Sequence, residues 1–91
     1  MNVHILLVMK HLNDNDSVTQ EELLDNCRAA ADVHYAAAIA FAVSTAAYAT
    51  AAYATTAVAA DVHYAKNAID RYFNFAGENK QDYIDEITTN N

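Results

Sequence analysis

Apolar and polar residues fall into blocks along this chain, and the blocks predict a set of helices. The first apolar block, NVHILLVMKHL at residues 2–12, is too short for its periodicity to distinguish a helix from a strand. We favour a short helix, because no second strand-like segment is present to pair with it. The polar stretch NDNDS at residues 13–17 is the clearest interruption of the pattern.

Signals for the start and end of helices follow this interruption. Two overlapping capping boxes predict that a helix begins near residue 18: Ser17…Gln20 and Thr19…Glu22. Gly77 fits the position just after a last helical turn, where a left-handed residue is needed. Asn79 can then cap a final short helix, KQDYIDEIT, whose apolar side is formed by Tyr83, Ile84 and Ile87.

The long block between these signals, residues 18–76, is predicted to be one continuous helix. It has no proline and no glycine, and alanine, the best helix former, is its most frequent residue. Such a helix is about 88 Å long, so the rest of the chain cannot cover it and other chains must. The alternative is a monomeric helical hairpin bundle with a break near Ser44-Thr45. Either way, residues 1–91 are predicted to be a single all-α domain.

Two internal repeats occupy this central block. The phrase AADVHYA occurs at 30–36 and again at 59–65, and AAYAT occurs at 46–50 and 51–55. A five-residue step turns a helix by about 140°, so the large side chains point in several directions, as expected of a central helix that packs against partners all round. We therefore expect a homo-oligomeric antiparallel bundle, a dimer or a tetramer. Its predicted interface consists of Ile39, Phe41, Val43, Ala47, Tyr48, Ala51, Tyr53 and Val58.

Charge narrows the classes of partner. The formal net charge is −7, the acids lie towards both ends, and residues 33–60 contain no Asp, Glu, Lys or Arg. This distribution argues against direct binding of nucleic acid, which requires clustered Lys and Arg. A membrane span within 33–60 is an alternative, but alanine, threonine and tyrosine are weakly apolar and neither flank is basic. With no apparent signal peptide and a single cysteine, Cys27, we expect a soluble cytoplasmic protein.

Candidate chemistry is sparse. Asp32 with His34, and Asp61 with His63, suggest metal or acid–base sites, but residues two apart on a helix point in divergent directions. No phosphate-binding loop, activated nucleophile or pair of catalytic acids is present. We therefore predict no catalytic residues, no metal ligands and no cofactor, and a protein that is not an enzyme.

Three segments carry a resemblance to a known group of proteins. SVTQEELLDN, the Ala/Tyr phrases, and GENKQDYID after an aromatic cluster resemble small Ala/Tyr-rich accessory proteins of virulent tailed bacteriophages of enterobacteria. The resemblance implies a small cytoplasmic protein that is made during infection and that binds and disables a host or defence protein. The resemblance implies no catalytic residues for this chain.

Two functional classes follow from the sequence. The first is an interaction protein that binds a host protein through exposed aromatic residues, for which Tyr72, Phe73, Phe75 and Tyr83 are the candidates. The alternative role for these four residues is to cap the protein's own core with the last helix. The second class is an acidic decoy that imitates nucleic acid, or a helical oligomer that sequesters a small ligand.

Overall fold

Five α-helices, joined by short turns, make up the described part of the chain. A computed structural model describes residues 1–33 and 36–89, and no strand occurs in these two ranges. The all-α prediction is therefore confirmed. The helices are α1 (Val3–Asn13), α2 (Gln20–Asp32), α3 (Ala37–Thr56), α4 (Ala59–Ala76) and α5 (Lys80–Thr89), with a 3-10 turn at Asn15–Ser17.

The two ends of the chain form the short helices that the sequence predicts. The side-chain oxygen of Asn2 accepts hydrogen bonds from the backbone N–H groups of His4 and Ile5, at 3.0 and 3.1 Å, and so caps α1. Asn79 does the same for α5, accepting from the N–H of Gln81 at 2.9 Å. Gly77 ends α4 with φ +71°, the left-handed conformation that glycine adopts without steric cost.

Only one of the two predicted capping boxes forms. The Thr19 hydroxyl accepts from the N–H of Glu22, and the Glu22 carboxylate accepts from the N–H of Thr19, both at 3.1 Å. The Ser17…Gln20 box was predicted wrongly. The Ser17 hydroxyl instead donates to the carbonyl of Asp14 at 2.6 Å and closes the 3-10 turn.

The predicted continuous helix over residues 18–76 is wrong. This segment forms α2, α3 and α4, and the molecule measures 30 × 28 × 21 Å, with a radius of gyration of 12.0 Å. That radius matches the value of about 12 Å expected for a compact chain of this length. The long block therefore folds back on itself, and its helices cover one another within one chain.

The break between α3 and α4 needs neither glycine nor proline. Ala57 adopts φ +56° and ψ +29°, and its N–H donates to the carbonyl of Tyr53 at 2.8 Å. The hydroxyl groups of Thr55 and Thr56 each donate to the carbonyl of Ala52 at 2.9 Å, so they satisfy a carbonyl group near the helix end. A break near Ser44-Thr45 is also wrong, because both residues lie inside α3.

The break between α2 and α3 falls within the first AADVHYA repeat. Val33 follows the end of α2 with an extended backbone, φ −90° and ψ 135°, and Ala36 precedes α3. His34 and Tyr35 lie outside the described residues. The second copy of the repeat, by contrast, forms the first seven residues of α4 without interruption. The described residues of the two copies therefore differ, since Val33 is extended whereas Val62 is helical.

Helix α3 is the centre of the fold and packs against α1, α2 and α4. Its buried side is almost entirely alanine, with Val43 and Thr50 as its larger members. Small side chains let helix axes approach closely, near the short end of the usual 8–10 Å range. The alanine repeat is therefore a helix-packing surface, as predicted, but the helices that pack on it belong to the same chain.

His11 is the one buried imidazole in the described ranges, and it lies between α1 and α3. The residue is 4% exposed, and its ring meets that of Tyr53 edge-on, with 6.1 Å between the ring centroids. Neither ring nitrogen makes a hydrogen bond with a described residue. Burial lowers the pKa of His11, although the backbone of nearby Asn15 opposes this shift. The neutral imidazole is thus the form that the core accommodates.

Replacing Ala57 by glycine is predicted to stabilise the protein. Glycine removes the steric cost of a left-handed alanine, and we expect the free energy of unfolding to rise by about 0.5–1 kcal/mol. The matched control is Ala29→Gly at an exposed position of α2, which should lower it by about 1 kcal/mol. Urea unfolding followed by circular dichroism measures both. A loss of stability in Ala57→Gly would show that α3 continues through residue 57.

Replacing His11 by leucine is predicted to reduce the loss of stability in acid. Because the folded-state pKa lies below the unfolded value of 6.5, the stability linked to His11 is fully present above pH 6.5 and is lost as the pH falls through the folded value. The leucine variant removes this linkage and two unpartnered nitrogens. Urea unfolding at pH 7 and pH 5 should show a smaller difference for the variant than for the wild type. Equal differences would mean that His11 is not buried as described.

Candidate interaction surface

Three of the four aromatic residues predicted to bind a partner are packed inside the chain. Tyr72 and Tyr83 are buried and Phe73 is half-buried between them, with edge-to-face ring distances of 5.2 Å to Tyr72 and 4.9 Å to Tyr83. Phe75 is 60% exposed. The structure therefore brings the first three together where side chains near the end of α4 meet Tyr83 of α5, which itself packs against α1, and it leaves Phe75 accessible to a partner.

A carboxylate ties this aromatic cluster to the first residues of the chain. Glu78 accepts hydrogen bonds from the hydroxyl groups of Tyr72 and Tyr83, the latter at 2.6 Å, and lies 3.4 Å from the α-ammonium of Met1. The Tyr83 hydroxyl also accepts from the N–H of Asn2 at 2.6 Å. Every member of this network has a partner within the chain, so the network joins α1, α4 and α5.

The protonation states of this network are fixed by its hydrogen bonds and its burial. The hydrogen bonds from Tyr72 and Tyr83 lower the pKa of Glu78. Burial, reinforced by Glu78, raises the pKa of both phenols, which therefore remain donors. An ionised carboxylate between two protonated phenols is a stable arrangement. We infer that this network, which we call the Glu78 network, has a structural role.

The predicted oligomer interface divides into an inner and an outer group. Val43, Ala47 and Ala51 are buried by the chain's own helices, and Ile39 and Tyr53 are half-buried. The exposed members are Phe41, Tyr48 and Val58. An interface between copies of the chain stays a prediction, and in this conformation only the outer group is accessible to it.

Three of the exposed aromatic residues of α3 and α4 lie along one groove. Phe41 and Thr45 from α3, and Tyr64, Arg71 and Phe75 from α4, line two adjacent cavities, and we call this set the aromatic groove. One cavity has a volume of about 520 Å³ and the other about 150 Å³, and both are lined by Phe41 and Arg71. The three aromatic side chains are 59–61% exposed. Tyr48, a further exposed aromatic residue of α3, instead lines a separate cavity with Cys27 and Ala31 of α2.

Arg71 is the single charged residue among those that line the two cavities, and it makes no ion pair with any described residue. Two other basic residues form ion pairs. Arg28 pairs with Asp25 and Lys80 pairs with Asp70, each with a nitrogen–oxygen distance of 3.4 Å. Tyr64 and Arg71 are not among the site residues predicted from the sequence. Arg71 follows Tyr64 by seven residues and Phe75 follows Arg71 by four, and these helical spacings are the signal that could have identified a common face.

The described members of the suggested metal and acid–base pairs do not gather into a metal-binding group. No group of three or more His, Cys, Asp or Glu side chains comes together in the described ranges. Asp32 and His63 are exposed and Asp61 is half-buried, while His34 lies outside the described residues. Cys27 is half-buried and packs against the core. His4 forms a hydrogen bond with the Asn26 side chain at 2.8 Å and helps to join α1 to α2.

Helix α3 also bears on the membrane alternative. It is the one described helix that is long and apolar enough to cross a membrane, with a mean hydropathy of 1.4. The core helix of a soluble protein passes the same test, and α3 occupies the centre of this fold. The membrane alternative within 33–60 and the predicted cytoplasmic location both stay predictions.

Comparisons with known proteins give no further assignment. No protein-family model, no curated protein and no solved structure matches this chain. The resemblance to bacteriophage accessory proteins therefore stays a prediction.

Replacing Glu78 by glutamine is predicted to destabilise the protein by about 1–2 kcal/mol, because two hydrogen bonds to a charged group are weakened. The lowered folded-state pKa adds a pH signature. Glu78 contributes stability above the unfolded value of about 4.5, and this contribution is lost as the pH falls through the folded value. The variant should show a shallower loss of stability in acid than the wild type.

Thermal or urea unfolding between pH 3 and pH 7 measures this effect. Asp25→Asn is the matched control, because it removes a carboxylate charge from an exposed surface ion pair and should change stability by no more than about 0.5 kcal/mol. Equal effects of the two substitutions would contradict the structural role of the Glu78 network.

Proposed function

We propose that this chain is a non-enzymatic interaction protein that binds another protein through the aromatic groove. The observation that carries the proposal is the row of exposed aromatic side chains, Phe41, Tyr64 and Phe75, beside Arg71, which has no ion pair with any described residue. Tyrosine and arginine are enriched among the residues that dominate binding energy at interfaces. Contiguous exposed apolar patches on soluble chains mark interaction sites more often than single exposed residues do.

The scaffold beneath the groove supports this role. α3 and α4 are joined by the two residues Ala57 and Val58, so they pack side by side as a helical hairpin. The faces behind the groove are buried, with Ala42 and Ala68 both less than 5% exposed. A surface held on packed helices loses little conformational entropy when a partner binds, which favours affinity.

The identity of the partner is the second part of the proposal. The resemblance to phage accessory proteins implies a host or anti-phage defence protein that is inhibited when it is bound. The target is then a protein of the infected cell's cytosol.

The proposal is tested by comparing what a groove variant and the wild type capture from an enterobacterial lysate. The groove variant is Phe41→Ser with Phe75→Ser. Hot-spot residues each contribute roughly 2 kcal/mol or more to binding. We therefore expect the groove variant to capture at least about tenfold less of a specific partner than the wild type captures. Quantitative mass spectrometry of the captured proteins gives the ratio.

Val3→Ser with Ile84→Ser is the matched control, since it also removes two exposed apolar side chains but outside the groove. It should retain the partner, and circular dichroism should show the same helical content for all three proteins. If every captured protein is held equally by the groove variant and the wild type, the aromatic groove is not the binding surface.

A further inference from the structure

The two cavities of the aromatic groove differ from an ordinary apolar patch in having a cation between them. Phe41 and Arg71 line both cavities; Tyr64 lines the smaller one and Phe75 the larger one. Resting on the proposed function, we infer that the groove binds an amphipathic helix of a partner protein, and that this helix carries one carboxylate between two large apolar side chains.

Charge is the first argument for the carboxylate. The chain has twelve acidic and five basic residues, yet no acidic residue is among the described residues that line the groove, and Arg71 has no ion pair there. A partner that covers Arg71 with apolar atoms alone leaves a desolvated, unpaired charge, which is costly. A carboxylate satisfies the guanidinium with two parallel hydrogen bonds.

Shape is the argument for a helix. The groove runs between two packed helices, and a third helix can lie along it as amphipathic helices do in other recognition grooves. On α4, the smaller cavity extends from Tyr64 to Arg71 and the larger one from Arg71 to Phe75, so the midpoints of the two cavities are about 8 Å apart along the helix axis, with Arg71 between them. A partner helix with apolar residues at positions i and i+7 fits the two cavities, and a glutamate at i+4 then faces Arg71.

A second copy of this chain does not meet the same requirement. A two-fold interface brings identical surfaces together, so groove against groove would oppose two Arg71 side chains with no carboxylate from either lining. The net charge of −7 also opposes a strongly acidic partner at long range. The fitting partner helix therefore carries one carboxylate on an otherwise neutral or basic sequence.

The test uses a labelled helical peptide of alanine, glutamine and lysine, about 16 residues long, so that it can form a helix in isolation. Two leucines seven positions apart provide the anchors, and one glutamate lies four positions after the first leucine. A second peptide has glutamine in place of glutamate. Fluorescence anisotropy at low salt should show the glutamate peptide binding the wild-type protein about fivefold more tightly.

Arg71→Gln should remove this preference, and Arg28→Gln, the same change outside the groove, should retain it. Both positions are exposed, and circular dichroism should show the same helical content for the variants and the wild type. If the two peptides bind equally and Phe41→Ser with Phe75→Ser abolishes both, the groove is an apolar interaction surface and the carboxylate inference is wrong. If neither peptide binds, this inference also fails, while the lysate comparison decides the proposed function separately.

A remaining outcome is self-association. Sedimentation equilibrium that shows a dimer of the wild type at micromolar concentration, lost in the Phe41→Ser, Phe75→Ser variant, would make a second copy the occupant and overturn the inference.

Discussion

The packing of α3 against α1, α2 and α4 is the contact on which the rest of the fold depends. Its buried face is mostly alanine, so each residue contributes little apolar area. An alanine face is therefore stabilised only when several helices cover it at once. A continuous helix over residues 18–76 would expose most of that face, whereas two breaks bring α2 and α4 onto it. Alanine favours a continuous helix locally, but burial of the alanine face of α3 by neighbouring helices requires the helix to break.

Helix ends could be predicted where the capping hydrogen bonds lie within a few residues of the cap. The Thr19–Glu22 box, Asn79 and Gly77 belong to this class, because each works through local backbone geometry. The AADVHYA repeat shows the limit of such reasoning. Its two copies have identical propensities, yet one contains the end of α2 and the other begins α4. The difference comes from the surrounding helices, which a local pattern cannot reveal.

Local sequence patterns also cannot show which of the predicted aromatic contact residues are buried and which are accessible. Tyr72 and Tyr83 meet at Glu78 only because the turn at Gly77 returns α5 towards the end of α4, so their burial depends on tertiary structure. Phe41 and Phe75 were predicted as contact residues and are accessible, but on opposite sides of one groove that requires the α3–α4 hairpin. That hairpin depends on Ala57, a residue with no turn signal.

The separation of charge from the aromatic groove has a consequence for the choice of partner. Acidic residues lie on α2, α4 and α5, while α3 has none, so the molecule is strongly negative but its groove is lined by a single cation. Two copies repel each other at long range, which opposes association through the groove. A basic or neutral partner does not meet this repulsion, and a local carboxylate is still accepted at Arg71. In the function that we propose, long-range charge therefore selects against self-association, while the groove selects the segment that binds.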